Sequence, residues 1–468
     1  MNSKRNYTMT ERHWITKRRK FLMAAAEDLG QAVASAFTRC CMANGWLILL
    51  ALVGISTALK FVAGTGGWNY DFESYRVVAD IVASGGNVYS GTSRYNYGPI
   101  WFVFLGWMNA LLGHHMRLGI TLLLSLADAG IAAMLWRRKL FFPAVLFLLS
   151  NITIHISGFH NQFDNVAVFV AFAALALMES AQIEGGEPRC RFRYWGGVAL
   201  LGLSITTKHV FAFLPIWFLF RRMSWKRKSL SFMLPLAIFA ASFLPYSGIT
   251  DAGCREAIAA AIAKTREYSK TMSPSDAIRR SFREEILPLD IPARGIVKNV
   301  FLYKSSSTKN LYRCFLPYGV YEAAPTRLLF VLCMIGLGVV MRGRSLFAGG
   351  LAYTLGMFTF PSAMAIQYYA IPSAAAAVYW RPFGLCFHIC GSIALLFGHG
   401  EGAVNPFVLV PCMLMTLGCL VVAAHSPCCG NGRPRTVQEG GCEGGLLRQC
   451  YSEKPTLDFA IRENSPLN

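Results

Sequence analysis

Charged side chains are scarce in this sequence, and acids are the scarcest. Asp, Glu, Lys and Arg make up 15% of its 468 residues, with 25 acids against 45 Lys and Arg. A soluble domain carries about 25% charged residues, so a water-solvated globular chain is disfavoured from the outset. The long apolar blocks lack polar faces at helical spacing, which a helix at the edge of a soluble core would carry. The 14 Cys form no CxxC pair and keep no regular spacing. They read as reduced cytoplasmic thiols, with Cys428 and Cys429 as an alternative acylation site. No cleavable signal peptide is expected, because the first forty residues are polar and basic and the first apolar block is long enough to stay as a span.

What the sequence does have is hydrophobicity in blocks: 54% of residues are hydrophobic, and mean hydropathy is +0.40. Trp46–Ala63, Leu118–Leu135 and Ala403–Ala424 are such blocks. Each reaches the roughly 17–25 residues that cross a bilayer as a helix. The net charge of +20 sits largely in short clusters between blocks: Lys17 to Lys20, Arg137 to Lys139, Arg221-Arg222 with Lys226 to Lys228, and Arg342 with Arg344. That is the positive-inside pattern of a membrane protein, and it explains much of the charge without a nucleic-acid partner.

Placing the basic clusters in the cytoplasm sets an expected topology. A basic segment, 1–43, precedes a multi-span domain over 44–424. The first span leaves the cytoplasm, and residues 64–116 form an outer loop in which Pro99–Leu112, too short to span, lies along the membrane or re-enters it. Spans near 140–157 and 166–181 form a hairpin with His160–Asn165 at its outer tip. Two short helices must meet at a cusp near Thr206-Thr207-Lys208-His209, because residues 194–220 are too few for two full crossings. A span near 229–247 leads to a second outer loop, 248–324. Four or five further spans follow, and the Gly-rich polar tail, 425–468, is cytoplasmic and expected to be disordered. The expected fold is all-α, a polytopic transmembrane helical bundle.

This topology, built on Lys and Arg alone, gathers the unusual polar groups on the outer face. Asp71 and Glu73 follow a Gly-rich exit from the first span; in an extended segment both carboxylates would face one cleft. A carboxylate there can act as general base on an acceptor hydroxyl, or both can be ordinary loop acids. Tyr97, in Tyr95-Asn96-Tyr97-Gly98-Pro99, either stacks on a sugar or belongs to the interfacial aromatic belt. His160, Gln162 and Asp164 lie in a polar run that is costly at membrane depth unless functional. Lys208 and His209 at the cusp can meet a developing phosphate charge; the alternative is a Lys208 paired with Asp164 or Asp128 to hold helices together. Asp128, deep in a span, reads as structural. Arg294 has the planar fork that suits phosphate oxygens. Gln367 and Tyr368 open a late span from outside, lining a lipid-phosphate groove or anchoring at the interface.

The order of Asp71-Phe72-Glu73, Gly86–Tyr89, Tyr97-Gly98-Pro99, His160–Asn165, Lys208-His209, Arg294-Gly295 and Gln367-Tyr368 resembles the GT-C superfamily of polyprenyl-phosphate-sugar-dependent glycosyltransferases. The resemblance covers roughly residues 69–380 and points to two branches. The acidic pair, the 160–165 cluster, Lys208-His209 and Arg294-Gly295 are similar to the ER dolichyl-phosphate-glucose glucosyltransferases. The Gly86–Tyr89 stretch, Tyr97-Gly98-Pro99 and Gln367-Tyr368 are similar to the polyprenyl-phosphate-mannose mannosyltransferases. The glucosyltransferases' late His-rich motif is absent. The resemblance implies a polyprenyl- or dolichyl-phosphate-hexose donor and a lipid-linked or glycan acceptor. It implies an inverting displacement with Asp71 as base and Glu73 beside it, and Lys208, His209 or Arg294 meeting the leaving phosphate. Tyr97, His160, Gln162, Asp164, Gln367 and Tyr368 would bind substrate. No cofactor and no metal are expected. The membrane would be that of the ER in a eukaryote, or the plasma (inner) membrane in a bacterium. A transporter or flippase of lipid-linked sugars would also show intramembrane charges, but internal repeats are expected there and none is evident. A non-catalytic partner of a glycosyltransferase would need no acid pair.

Overall fold

The computed structural model describes residues 44–67, 69–181, 183–184, 187–248, 251–286, 292–301, 326–361, 365–397 and 406–425. The expected segment 1–43 and all but the first residue of the expected tail 425–468 lie outside the described residues, as does part of the loop 248–324. The described chain is helical apart from a small antiparallel ladder, Ile183–Glu184 with Glu187–Pro188. Helices Asn44–Gly64, Pro99–Arg137 and Trp225–Tyr246 are long and apolar enough to cross a membrane, and the bent pair Phe141–Leu149 and Asn151–Phe159 adds another if it counts as one span. Other expected spans are represented by shorter apolar helices, among them His209–Phe220, Leu346–Thr359 and Leu409–His425.

Residues 64–116, expected as an outer loop, hold more structure than the single helix expected there. They contain helices Tyr70–Ala83, Val88–Gly91 and Pro99–Leu112, the first and last packed side by side with Gly106 against Val82. Asn69 starts the 70–83 helix: its Oδ1 accepts the backbone N–H groups of Asp71 at 2.8 Å and Phe72 at 3.3 Å. Asn is among the best residues at such a cap, because it satisfies donors the helix leaves open. The extended reading of Asp71 and Glu73 is therefore corrected. In a helix, residues two apart lie on different faces, and the two acids separate. Pro99–Leu112 turns at Gly113, where φ is +52°, and its Met108 and Leu112 side chains fold against Gly119 of the next helix.

The bundle has two chemically different ends. At one end the basic clusters meet. Arg138 pairs with Glu179 at 2.8 Å and lies over the Phe347 ring. Arg221 donates to the Arg344 carbonyl, and Arg344 donates to that of Ala424. Tyr194 contacts Met223 and Ser231, so the chain that leaves through Arg191–Thr207 returns through His209–Phe220. The expected cusp lies between those two helices. Leu346–Thr359 is buried on every face and forms the central pillar. Its glycines admit neighbours closely, Gly349 against Trp217 and Gly350 against Leu175, as small residues do where helices associate without a hydrophobic drive between them.

Asp128 ties four segments together in the apolar interior. Its Oδ2 takes Lys60 Nζ at 2.7 Å and Ser157 Oγ at 2.9 Å, and its Oδ1 accepts Asn165 Nδ2 at 2.7 Å. Lys60 and Asp128 are both fully buried. Asp128 is thus structural, as its place in the sequence suggested, but through Lys60 of the first span rather than Lys208. Removing one member of such a pair strands the other charge, at a cost of about 3–5 kcal/mol. Lys60→Met is expected to lower thermal stability in detergent sharply. Adding Asp128→Asn, which removes the stranded carboxylate but keeps a group for Ser157, should restore much of the loss. A double variant no better than the single one would mean that Lys60 acts through packing alone.

Candidate functional site

At the end of the bundle away from the basic clusters, three chain reversals meet. The first is the cap at Asn69, whose Nδ2 donates to the Phe159 carbonyl at 2.6 Å. The second is the turn His160–Asp164. Asn161 sits there at φ +53°, a left-handed conformation that Asn tolerates better than most residues. It is fully buried and anchored: its Oδ1 accepts Arg117 Nε at 3.0 Å, and its Nδ2 donates to Thr121 Oγ1 at 2.8 Å. Arg117 spreads its guanidinium further, donating to the carbonyls of Gly67 at 3.0 Å and Phe159 at 3.1 Å. One planar fork therefore joins the exit of the first helix to the turn.

The third reversal is the cusp. Lys208 is extended, with φ −148° and ψ 115°, and breaks the helix between Thr207 and His209. Its ammonium is buried and paired with Asp164 Oδ2 at 2.5 Å. Three rings surround it: Phe163 at 5.0 Å, Tyr97 at 5.1 Å and Tyr368 at 5.6 Å. These distances suit cation–π attraction, which strengthens where water is excluded. The pairing of Lys208 with Asp164 is the alternative that the sequence left open for this lysine.

Asp71 stands at the mouth of this cluster. Its Oδ2 lies 3.8 Å from His160 Nδ1, and the two side chains are 27% and 16% exposed, so water or a substrate hydroxyl can reach them. Glu73 points elsewhere, to Arg76 on the solvent side at 3.6 Å. Tyr75, one helical turn beyond Asp71 and on the same face, is buried against Trp101 and Phe163. Burial pushes its phenol well above its ordinary range, and the fields of Tyr97, Asp71 and Asp164 push the same way.

The structure thus gathers Asp71 and His160, as one contact, next to a cluster of Tyr97, Asp164, Lys208 and Tyr368. Gln162 lies on the same turn, buried, and Gln367 is half-buried on the short turn Ile366–Tyr369 beside Tyr368. His209 follows Lys208, with its Nδ1 buried and without a hydrogen-bond partner among the described residues. Arg294 is half-buried on Pro292–Ile296, whose Gly295 lies against the Tyr89 carbonyl. Among the described residues no ion pair of Arg294 is found. Among the described residues, no group of three or more His, Cys, Asp or Glu is placed to hold a metal ion. Sequence reasoning passed over Lys60, Arg117 and Tyr75. A lone cation in each of two apolar helices was the available signal for the first two; nothing marked Tyr75 out.

No protein-family model, no curated protein and no solved structure matches this chain. Its class therefore rests on its own features: an all-helical protein with several helices apolar enough to cross a membrane.

The position of the cusp depends on close backbone contact at Gly98. A Cβ there would run into the Thr206 carbonyl at the cusp, although φ −70° and ψ 165° suit any residue. Gly98→Ala must move the cusp and with it Lys208, and overpacking of this kind costs about 1–3 kcal/mol. Gly54, with nothing within 4 Å, is the matched control. Thermal denaturation should show Gly98→Ala destabilised and Gly54→Ala near wild type; equal melting of the two would remove the cusp contact from the argument.

Proposed function

We infer that this chain is a membrane glycosyltransferase of the GT-C type, moving a hexose, mannose or glucose, from a polyprenyl- or dolichyl-phosphate carrier to a lipid-linked or glycan acceptor. The observation that carries this reading is the partly exposed Asp71 carboxylate, beside His160, at the solvent edge of the cluster that holds the buried Asp164–Lys208 pair. In the proposed reaction an acceptor hydroxyl attacks the anomeric carbon while the bond from that carbon to the phosphate oxygen breaks. Asp71 takes the hydroxyl proton, and the lipid phosphate leaves with its electron pair. Configuration inverts in the single displacement. Lys208 and Arg294 are the cations available to the leaving group, and His209, buried beside Lys208, can add a hydrogen bond; Lys208 must then share its charge between Asp164 and phosphate. Glu73, turned to Arg76, is left with at most a supporting role. Polarised groups at fixed positions in a dry site stabilise developing charge more strongly than water does.

A second feature supports a lipid-borne donor. An apolar groove of about 500 Å³, lined by Pro99, Val103, Phe104, Trp107, Pro245 and Tyr246, begins at Pro99, next to the Gly98 contact with the cusp. An isoprenoid chain lying there would bring its phosphate toward Lys208. The reaction would run on the non-cytoplasmic face, in the ER membrane of a eukaryote or the inner membrane of a bacterium.

A transporter of lipid-linked sugars is the second reading. It is favoured by the broken helix at Lys208 and the 48° bend between Phe141–Leu149 and Asn151–Phe159, since transporters build midplane sites from discontinuous helices. Proteoliposomes with short-chain polyprenyl-phosphate mannose and glucose separate the two. The transferase reading expects release of polyprenyl phosphate from one donor, reduced about 10²–10⁴-fold in Asp71→Asn as for loss of a general base. Full activity in Asp71→Asn would remove it as the base. Translocation of intact donor without cleavage would establish the transporter.

A further inference from the structure

Several buried polar groups near Phe163 and Asp164 have nothing to bond. The Tyr75 hydroxyl, the Trp101 indole N–H, both ends of the Gln162 carboxamide and the Oδ1 of Asp164 all lack a hydrogen-bond partner among the described residues. Tyr75 is 3% exposed, Trp101 2% and Gln162 1%. Such groups are rare in folded proteins, because each forfeits its bonds to water for no return. Phe would fill the Tyr75 site as well as Tyr, without the unmet hydroxyl. Tyr75 and Trp101 pack on Phe163, which Gln162 and Asp164 flank in the chain, and unmet groups clustered about one ring indicate a place where a partner arrives.

The surroundings decide the chemistry of that partner. Tyr75 and Trp101 pack on each other and on Phe163, and Asp164 follows Phe163 directly. Asp71 and Asp164 both act on the Tyr75 hydroxyl, while the charge of Lys208 is already balanced by Asp164. An anion would be repelled there. A neutral ring bearing hydroxyls fits: Tyr and Trp donate, the free Asp164 oxygen accepts, and the carboxamide does both, matching hydroxyls that are themselves donors and acceptors. Asp71 and His160 are the partly exposed groups on the solvent side, with Tyr75 one turn deeper on the face that carries Asp71.

We propose that Tyr75 and Gln162, with the Oδ1 of Asp164, form a subsite that reads the hydroxyls of a sugar ring and so selects the hexose. The assignment of that sugar as the transferred one rests on the glycosyltransferase reading. The phosphate is held elsewhere, toward the cations.

Binding of citronellyl phosphate, citronellyl phosphate-mannose and citronellyl phosphate-glucose to the full-length protein in detergent tests this. Wild type should prefer one sugar-bearing probe over the bare phosphate. Tyr75→Phe and Gln162→Met should each cut that preference about tenfold, the effect of one lost hydrogen bond in a dry site, with affinity for citronellyl phosphate unchanged. Tyr75→Phe removes an unpartnered hydroxyl and should melt at or above the wild-type temperature, so its loss of preference cannot come from unfolding. Unchanged preference in both variants overturns the subsite. A wild type indifferent to the sugar also overturns it, while leaving the lipid-phosphate reading in place. If wild type ignores every lipid phosphate, methyl mannoside and methyl glucoside are the remaining probes. Thermal protection of wild type but not of Tyr75→Phe would uphold the subsite and discard the carrier; protection of neither would discard both.

Discussion

A charge inside an apolar body must be neutralised by a partner, and most of this structure can be understood from that requirement. Born-type desolvation makes a lone buried ammonium or carboxylate untenable, so Lys60 must find Asp128 and Lys208 must find Asp164. The first pair joins the first helix to the 116–137 helix, and Ser157 and Asn165 extend the tie to both arms of the hairpin. The second joins that hairpin to the cusp. Asp164 and Asn165 are consecutive, so the two networks share the start of one helix. A shift in either would be felt by the other.

These pairs are possible only because backbone comes close where they form. A Cβ at Gly158 would run into the backbone of Lys60, and one at Gly98 into that of Thr206. Glycine at these positions therefore serves proximity rather than flexibility. Ser157, next to Gly158, then reaches Asp128, and Lys208, next to the Thr206–Thr207 turn, reaches Asp164. Arg117 acts in the same way by different means, its fork holding Asn161 and two carbonyls so that the His160–Asp164 turn keeps its shape.

The proposed chemistry follows from how unequally the polar groups are satisfied. Asp128 is saturated by three partners and reads as a fastening. Around Asp71 the opposite holds: Asp71 has a distant histidine and access to solvent, and the groups behind it are buried with bonds still to make. Saturated networks rigidify a fold, whereas buried groups left unsatisfied are costly and call for an explanation, which in the proposed reading is a substrate that supplies the missing bonds.

Much of the architecture was legible in the sequence. Long apolar runs separated by Lys and Arg clusters announced helices and their ends, because the cost of burying charge is paid residue by residue. The hairpin tip at His160–Asn165 and the cusp at Lys208 were legible for the same reason, as polar residues interrupting apolar runs. The helix under Asp71 and Glu73 was not, since a Gly-rich approach and a cap by Asn69 are local and weak signals. Partnership was not legible either. Lys60 and Asp128 are far apart along the chain, and a lone Lys in an apolar block does not reveal which acid it will meet. By itself the sequence determined where the chain is helical and which end of each helix is basic, because both follow from composition within a few residues. Only the tertiary structure decided which charges neutralise each other, which face of a helix Asp71 occupies and which buried groups are left unsatisfied, because these depend on distances between segments that the chain brings together only on folding.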